Sequence, residues 1–368
     1  MPHMTLSLPS RRLSLLRPRV RAMSRTLLAV DGNSLLHRAF HASARGGFRT
    51  ADGRPMWAVR GLLSQLVAAV DRSCADAVVV GFDDPEISTR RDRWPSYKAH
   101  RLPKPATLED QLDSAVELLR ELGVVVVVPR GLEADDVLAS AAAWAPTVGA
   151  RTVLATSDRD SFALVDEHTR VLRILNGGVE ASPMLDPRRL ELVTGVRPDQ
   201  YADLAALRGD ASDNLPGVAG IGPKTAGRVL AAFGSAREAF DDAAGEGTRC
   251  RSALGAGVTR RLAHPSARGV WEHNRAVMAM TRDAPLGLDL EAGVGALPLD
   301  PDTVAATYSR LDLHVPTAVR ALTGKEVPAP RQADVDASWR PSTHRTPMRF
   351  PPLPRPQLEP ATEQLTLF

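Results

Sequence analysis

The hydrophobic pattern of the chain alternates between two periods. Short valine-rich runs are typical of strands buried in a parallel sheet, and the longer stretches between them repeat apolar residues at helical spacing. Strands that alternate with helices predict an α/β fold, with a parallel sheet flanked by helices on both faces. The predicted strands are Thr26–Val30, Ala77–Phe82, Val124–Val128 and Thr152–Ala155, and the clearest predicted helices are Gly61–Asp71 and Leu108–Leu122.

This alternation does not extend along the whole chain. After residue 197 the strand pattern ends, and Pro198–Arg208 and Lys224–Phe233 predict short helices joined by Gly/Pro turns. Nine of the 33 residues from Pro328 to Pro360 are proline, which opposes a packed core. We therefore predict a flexible basic leader over 1–24, an α/β domain over 25–197, a helical domain over 198–325 and a Pro-rich disordered tail over 326–368.

Charge is unevenly distributed along the 368 residues, whose net charge is +3. Residues 1–30 contain six arginines and no acid, which leaves 40 basic against 43 acidic residues in the remainder. Any nucleic-acid surface on the folded body must therefore be a local patch. The two cysteines are too few for a disulfide framework and favour a reducing, cytoplasmic compartment. No apolar run approaches the ~20 residues that span a bilayer, so we expect no membrane partner.

Carboxylates follow three of the predicted strands. Asp31 comes directly after the first strand, Asp83 after the second, and Asp158 and Asp160 after the fourth. The carboxyl ends of parallel strands share one edge of the sheet, where α/β proteins bind ligands. We therefore expect these acids to lie close together.

Two further clusters add acids to this edge. Glu133, Asp135 and Asp136 follow the third strand, and their spacing allows Glu133 and Asp136 to share a helical face, with Asp135 nearby. Asp210 and Asp213 are three residues apart and can share a face in the same way. In total, nine carboxylates are expected to converge.

Such a concentration of acids would be strongly repulsive unless cations neutralised it. Oxygen ligands without nearby Cys or His pairs suit Mg²⁺ or Mn²⁺ rather than zinc. Two such ions roughly 3.5–4 Å apart can hold the attacking water and the leaving oxygen of a phosphodiester. The alternative is that each Asp only caps a helix or a turn. That explanation suits any single residue, but it accounts poorly for the repeated placement after strands.

In their order, the acidic segments resemble those of the five-prime nucleases, the flap endonuclease family that includes the N-terminal 5′-3′ exonuclease domain of bacterial DNA polymerase I. The similarity extends over roughly residues 25–320. The segments that carry it are Val30-Asp31-Gly32, Phe82-Asp83, Gly131-Leu132-Glu133-Ala134-Asp135-Asp136, Thr156-Ser157-Asp158-Arg159-Asp160 and Arg208-Gly209-Asp210-Ala211-Ser212-Asp213-Asn214-Leu215-Pro216-Gly217.

This resemblance implies a PIN-like α/β nuclease domain followed by a helical helix-hairpin-helix domain. It implies metal-dependent, structure-selective hydrolysis of DNA near a 5′ end, with two Mg²⁺ or Mn²⁺ ions. It also implies that all nine acids are metal-site residues: Asp31, Asp83, Glu133, Asp135, Asp136, Asp158, Asp160, Asp210 and Asp213.

A basic segment from Thr89 to Lys104 contains six cations and a single acid. Its aromatic residues lie among the cations, as in segments where bases or sugars stack beside phosphates. It resembles the family's arch over the active site, at about 85–107. The resemblance implies that Arg90 and Lys98 contact the scissile phosphate, and that Tyr97 and Arg101 contact the DNA strand. Pro95 should interrupt a helix here, so we predict an arch that is mobile until DNA binds. In isolation the segment could equally be a solvated charged loop.

A glycine-rich segment, Gly217–Ala226, lacks P-loop spacing because Pro223 separates Gly222 from the following Lys-Thr pair. It resembles a helix-hairpin-helix turn, in which glycines and helix N-terminal amides approach the phosphates of a duplex without reading its sequence. The resemblance also allows a K⁺ ion to bridge the turn and the DNA. A tight interhelical turn with no ligand would have the same backbone. The candidate DNA contacts are Gly220, Gly222, Lys224 and Thr225.

His37 occupies a position where many relatives have tyrosine, and Arg38 beside it is a further candidate DNA contact. The imidazole of His37 either stacks on a terminal base, with some pH dependence, or only packs on a helix face. The sequence leaves both interpretations open.

The last five residues resemble the pentapeptide by which bacterial replication and repair proteins bind the sliding clamp. Gln364 would form a directional hydrogen bond, while Leu365, Leu367 and Phe368 would fill an apolar groove. A short peptide of this kind binds weakly because it must be ordered on binding, and its tether raises the local concentration of the attached domain. The alternative is a chance hydrophobic C-terminus.

Taken together, these features predict a stand-alone, monomeric 5′-3′ DNA exonuclease and flap endonuclease for primer or flap removal in replication and repair. We expect it to be cytoplasmic and nucleoid-associated. Two alternatives belong to other classes: a PIN-class ribonuclease, and a catalytically silent, clamp-tethered DNA-binding adaptor. The arch and the helix-hairpin-helix favour DNA as the substrate, and the complete set of acids favours catalysis.

Overall fold

The computed structural model describes residues 25–43, 47–50, 52–310 and 316–324. The predicted leader over 1–24 and the predicted tail, with its terminal peptide, lie outside these ranges. None of the helices within them is both long and apolar enough to cross a lipid bilayer.

Six strands form the central sheet. They are β1 (Arg25–Asp31), β2 (Ala77–Gly81), β3 (Val125–Val127), β4 (Ala150–Thr156), β5 (Thr169–Arg173) and β6 (Met184–Leu185). The order is β3-β2-β1-β4-β5-β6, and all neighbours are parallel except β6, which pairs antiparallel with β5. The four predicted strands are confirmed with small shifts at their ends. The pattern did not predict β5, because Arg170 and Arg173 interrupt its apolar residues.

The strand order reverses between β1 and β4. β2 and β3 lie in succession on one side of β1, and β4 lies on its other side. The two strands are in parallel register, with Val30 opposite Ala155, so their carboxyl ends lie together. A reversal of this kind opens a crevice at the carboxyl edge of the sheet. It brings the acids that follow β1 and β4 to the same place.

Helices cover both faces of the sheet. Those of the first part of the chain are α1 (Gly32–Ser43), α2 (Trp57–Ser73), α3 (Thr89–Arg93), α4 (Ala106–Glu121), α5 (Ala134–Trp144) and α6 (Pro187–Thr194). Alternate residues of β1 enter different cores. Leu28 and Val30 pack with residues of α1, α2 and α4, whereas Leu27 and Ala29 pack with α5 and with helices later in the chain. The parallel sheet with helices on both faces is therefore confirmed.

A mainly helical region follows. Its elements are α7 (Pro198–Arg208), a short pair β7 (Gly209–Asp210) and β8 (Leu215–Pro216), α8 (Pro223–Phe233), α9 (Ala236–Ala244), α10 (Thr248–Leu254), α11 (Ala256–Leu262) and α12 (Pro265–Val277). Both helices predicted here are confirmed. The hydrophobic core continues from the sheet into α7, where the ring centroids of Phe162 and Tyr201 are 5.2 Å apart.

The last two described helices, α13 (Pro301–Arg310) and α14 (Pro316–Thr323), return to the first part of the chain. Val304 and Leu322 are buried in the core that contains α2 and α4. Arg310 forms an ion pair of 2.5 Å with Glu121 of α4. The sequence places these helices in the helical DNA-binding domain, whereas in the structure they pack against α2 and α4, on the outer side of the helices that cover one face of the sheet.

Candidate metal and nucleic-acid site

Asp31 ends β1 and is almost completely buried, with 4% of its surface exposed. Its Oδ1 accepts a hydrogen bond of 2.8 Å from the amide of Ser34, and its Oδ2 accepts one of 2.7 Å from the hydroxyl of Thr156. Burial raises the pKa of Asp31 to about 7, and the charges of Asp83 and Asp158 act in the same direction. Both hydrogen bonds come from neutral donors, and no cation among the described residues forms an ion pair with this carboxylate.

Three acids beside Asp31 also lack an ion pair with a cation among the described residues. Asp135 lies in the first turn of α5, and Asp158 and Asp160 follow β4. Oδ1 of Asp135 and Oδ1 of Asp160 are buried and have no hydrogen-bond partner among the described residues. Burial raises the pKa of Asp135 well above its ordinary value, and the charges of Asp158, Asp31 and Asp160 add to the effect. Burial also raises the pKa of Asp160 to about 7, again reinforced by Asp158.

We call Asp31, Asp135, Asp158 and Asp160 the open acids, because among the described residues none of them forms an ion pair with Lys, Arg or His. In the same part of the chain, no three acidic, His or Cys side chains are preformed around one point as a ligand set. The two buried oxygens without partners, and the burial and mutual repulsion that raise the pKa values, nevertheless fit a divalent cation held by oxygen ligands. Side chains can close around an ion when it binds.

Glu133 and Asp136 have a different environment, and we call them the paired acids. Oε2 of Glu133 accepts bonds from Arg90 (2.6 Å) and from the hydroxyl of Tyr97 (3.0 Å), and its Oε1 accepts a bond of 2.9 Å from Lys98. Burial alone would raise the pKa of Glu133, but Lys98 and Arg90 lower it below its ordinary value. Both oxygens of this carboxylate are therefore occupied by donors of the arch.

Asp136 is fully buried and equally saturated. Oδ1 accepts bonds from Arg90 (2.8 Å) and from the amide of Thr281 (2.7 Å), and Oδ2 accepts one of 3.0 Å from the amide of Glu133. Glu133 is the N-cap residue that precedes α5 and not a residue of its first turn. Glu133 and Asp136 do lie on the same side, since both bind Arg90, but they are joined by a capping box because the helix begins one residue later than predicted. Asp135 is the member of this cluster that faces the open acids.

The remaining three acids have different kinds of partner. Asp83 accepts bonds from the amide of Ala134 (2.9 Å) and from the side chain of Asn33 (3.0 Å). Asp210 accepts two bonds from Ser212. Asp213 pairs with Arg101 at 2.5 Å, and burial raises its pKa above the ordinary value. Of the nine predicted metal acids, three are thus paired with cations: Glu133, Asp136 and Asp213.

The arch lies directly against these acids. Its helix α3 ends at Arg93, before Pro95, as the sequence predicts. Lys98 has a φ of 55°, a left-handed conformation that costs a residue with a Cβ atom about 1 kcal/mol or more. The amide of Lys98 donates to the carbonyl of Asp213 (3.0 Å), and the side chain of Asn214 donates to the carbonyl of Ser96 (2.9 Å). These contacts hold the strained loop in place. The predicted mobility of the arch stays a prediction.

Two arch residues depart from the roles implied by the resemblance. Arg90 donates not only to the paired acids but also to the carbonyls of Val277 (3.1 Å) and Ala279 (3.0 Å). Tyr97 is 4% exposed, and the ammonium of Lys98 lies 4.6 Å from the centre of its ring. The ring therefore leaves little surface for stacking on a base, and stacking by Tyr97 does not fit this arrangement.

A cavity of about 500 Å³ lies on the other side of Asp31, beside α1. It is lined by Ser34, His37, Arg38, His41, Ala42, Ser157 and Asn176. Burial lowers the pKa of His37, and the charge of Lys104 acts in the same direction. The ring of His37 therefore borders an open space next to the acids. Both interpretations of His37 stay predictions.

The glycine-rich turn connects α7 to α8, with the β7–β8 pair between them. Gly220 has a φ of +73°, and a Cβ atom there would lie 2.7 Å from Nε of Arg261, which also donates to the Gly220 carbonyl at 3.0 Å. Gly222 is the N-cap residue of α8 and has no side chain to bind the first amides. Lys224, in the first turn, is exposed. The first amides of α8 have no acceptor within the helix, which leaves them available to a phosphate.

Two family models match consecutive parts of the chain. The 5′-3′ exonuclease N-terminal resolvase-like domain matches residues 26–191, and the 5′-3′ exonuclease C-terminal SAM fold matches residues 196–299. The two matches cover the sheet with its acids and the helical region with the glycine-rich turn.

The chain belongs to the 5′-3′ exonuclease family.

Curated relatives in this exonuclease family are considerably longer than the matched region. The chain is similar to DNA polymerase I of Mycobacterium tuberculosis, with 34% identity over 290 residues, which are 79% of this chain and 31% of that protein. It is 41% identical over 209 residues to the thermostable DNA polymerase I of Thermus aquaticus, which corresponds to 57% of this chain and 24% of that protein. The chain therefore spans less than a third of these relatives.

Solved structures share the exonuclease fold at lower identity. The T5 D15 protein co-crystallised with metal ions has a TM-score of 0.56 and 18% identity, covering 82% of this chain and 97% of that one. The T5 5′-exonuclease with bound zinc ions has a TM-score of 0.55 and 19% identity, with the same coverage. At this identity the comparison supports the fold alone.

Three supporting residues of the exonuclease site were not singled out from the sequence. Thr156 and Asn33 orient Asp31 and Asp83. Thr156 stands inside a segment that carries the resemblance, and Asn33 directly follows another, so their positions are a signal that points to them. Thr281 binds Asp136 from 145 residues away along the chain. No local pattern indicates that contact, because it depends on how the segment after α12 folds back.

Proposed function

We propose that this exonuclease-family chain is a metal-dependent 5′-3′ DNA exonuclease and structure-selective flap endonuclease that hydrolyses phosphodiester bonds. One observation carries the proposal. Two buried carboxylate oxygens without partners, in Asp135 and Asp160, lie at the switch point of the sheet, next to an arch that presents Lys98. Uncompensated buried acids are costly unless a cation neutralises them. Their placement beside a cationic arch suits hydrolysis of a phosphodiester.

The open acids are the residues that would hold divalent ions, with Asp83, Asp210 and Asp213 at their periphery. When bound, Mg²⁺ or Mn²⁺ would lower the pKa of a water and stabilise charge on the scissile phosphate. Lys98 would exchange its bond to Glu133 for one to the phosphate. Arg90 has four hydrogen bonds to fixed groups, so it contributes to the phosphate site mainly by fixing the base of the arch.

Duplex DNA would be bound through its phosphates at the glycine-rich turn, by the amides that begin α8 and by Lys224. A K⁺ ion at this turn is part of the proposal. The cavity beside His37 and Arg38 would receive the terminal nucleotide at the 5′ end. Its volume of about 500 Å³ suits a nucleotide.

In the cell we propose removal of RNA primers and displaced flaps during replication and repair, by a monomer in the cytoplasm associated with the nucleoid. The terminal peptide Gln364, Leu365, Leu367 and Phe368 would tether the enzyme to the sliding clamp. Removal of residues 364–368 is expected to abolish retention on immobilised clamp while leaving cleavage of free flap DNA unchanged.

The test of the activity uses a 5′-labelled flap substrate with Mg²⁺, and single-stranded RNA of the same sequence. We expect metal-dependent release of the flap, loss of cleavage in Asp158→Ala and a strong decrease in Lys98→Ala. Asp113→Asn and Arg120→Ala, at exposed positions on α4, are matched controls with unchanged rates. Cleavage of the RNA alone would indicate a ribonuclease. DNA binding without cleavage in Mg²⁺ or Mn²⁺ would indicate the silent adaptor.

A further inference from the structure

A second cavity, of about 400 Å³, lies between the segment after β4, the helix α7 and the segment after α12. Its volume is in the range of small-molecule sites, roughly 300–1,000 Å³. We call it the Met278–Met280 cavity. Its apolar wall consists of Ala163, Leu164, Tyr201, Ala205, Met278 and Met280. Methionine and tyrosine side chains pack well against aromatic rings and adapt to different shapes.

Two arginines and two acids line this cavity. One of the acids, Asp160, belongs to the open acids, whose charge a divalent ion in the proposed site would balance. Asp199 lines it, but both oxygens of this acid are bound by Arg197, at 3.0 and 2.8 Å. Arg275 is 44% exposed, and among the described residues its one ion pair is a contact of 3.5 Å from Nε to Asp203. Arg282 is exposed and lines the same space. Two guanidinium groups are therefore available to a single anionic group, which they bind with well-directed hydrogen bonds.

The cavity borders the catalytic acids through one segment. A narrow space beside the paired acids is lined in part by Asp160, Met278 and Met280, which also line the Met278–Met280 cavity. The backbone of the same segment holds the base of the arch, because Val277 and Ala279 accept hydrogen bonds from Arg90. A molecule that displaces the two methionines would therefore also act on the arch.

We propose that the Met278–Met280 cavity binds a small aromatic anion, a flat apolar body with one phosphate, sulfonate or carboxylate group, and that its occupancy lowers nuclease activity by moving the segment that anchors Arg90. The aromatic body lies against the methionines and Tyr201, and the anionic group meets Arg275 and Arg282. The regulatory part rests on the proposed nuclease function, whereas the binding part does not.

The binding test uses 1-anilinonaphthalene-8-sulfonate as the probe, titrated into the full chain and followed by its fluorescence. We expect one saturable site. Arg282→Gln should weaken binding about tenfold, the loss expected for one charge-assisted hydrogen bond. The matched control is Arg237→Gln, an exposed arginine of α9, which should leave the affinity unchanged. Ala202→Trp should fill the cavity and abolish binding, and Ala163→Leu provides a smaller filling change if the Trp variant fails to fold by circular dichroism.

A second readout locates the probe. In protein labelled with ¹³C at the methionine methyl groups, the probe should shift the resonances of Met278 and Met280, identified with Met278→Leu and Met280→Leu. Unchanged Met278 and Met280 resonances, or equal fluorescence with a folded, cavity-filled variant, would overturn the binding site. Binding at the cavity without slower flap cleavage by an enzyme that is active alone would overturn the regulatory part. An enzyme that is inactive without the probe but binds it in the cavity would count against the nuclease proposal, and the regulatory part would fall with it.

Discussion

The paired acids and the open acids lie side by side at one edge of the sheet, yet they differ in how their charges are balanced within the described residues. Glu133 and Asp136 are neutralised internally, by Arg90 and Lys98. Within the described part of the chain, Asp31, Asp135, Asp158 and Asp160 have no such partner, and the pKa values of Asp31, Asp135 and Asp160 are raised. Position within a cluster of acids is therefore not enough to identify a metal ligand. The hydrogen-bond and ion-pair partners of each carboxylate separate the acids that lack a cation of the fold from the acids that orient the arch.

The largest expected difference between the two groups is in catalysis. Asp135→Asn removes a candidate metal ligand and should lower the cleavage rate at saturating Mg²⁺ by at least about 1,000-fold, a loss of roughly 4 kcal/mol of transition-state stabilisation. Glu133→Gln removes a positioning residue and should cost roughly 10–100-fold, as expected for groups that orient others. Single-turnover cleavage of a flap substrate measures both. Equal losses would remove the distinction.

Stability without metal should change in opposite directions. Among the described residues, Glu133→Gln leaves Lys98 without a counter-ion and Arg90 with Asp136 alone. It should therefore destabilise the protein by about 3 kcal/mol, as when one partner of a buried ion pair is removed. Asp135→Asn relieves repulsion among buried acids and should stabilise it by about 1 kcal/mol. Urea unfolding in EDTA gives both free energies of unfolding. A decrease in both variants would mean that Asp135 is also bound by a partner of the fold.

The pH dependence of the metal-free protein follows from the raised pKa values. The folded-state pKa values of Asp31 and Asp160 are about 7, above the value of about 3.8 for an unfolded Asp, so the folded state binds more protons between these limits. Stability is therefore expected to fall as pH rises from about 4 to about 7. Melting temperatures in EDTA should show this fall, and Asp160→Asn should flatten it. Glu133→Gln should leave the slope between pH 5 and 7 nearly unchanged, since the pKa of Glu133 is already below its ordinary value.

The smallest expected effect concerns the glycine-rich turn, which lies apart from both groups of acids. Gly220→Ala places a side chain at a φ of +73° and against Arg261, so it should destabilise the protein by about 1–2 kcal/mol and weaken duplex binding several-fold. Gly227→Ala, within α8, has open space and is the matched control. Fluorescence anisotropy with a nicked duplex compares them, and equal affinities would remove the turn from the DNA-binding surface.

The sequence predicted four of the six strands in the central sheet, and the acids that follow them, because both depend on local pattern. A run of valines indicates a buried strand, and in a parallel sheet an acid that follows such a strand lies at the carboxyl edge. Local pattern could not predict which acids are paired and which are open. The direction of the Glu133 side chain depends on whether this residue lies in the first turn of α5 or precedes it. The partners of Arg90 are 43 to 189 positions away along the chain, so no local pattern indicates them. The burial of Tyr97 depends in the same way on a tertiary contact.

Crystals grown with Mn²⁺ and measured for anomalous scattering test the central claim most directly. The account predicts that each ion lies about 2.1–2.2 Å from oxygens of the open acids, while Glu133 keeps its bonds to Arg90 and Tyr97. An ion bound directly by Glu133 or Asp136, with Arg90 displaced from both, would contradict it.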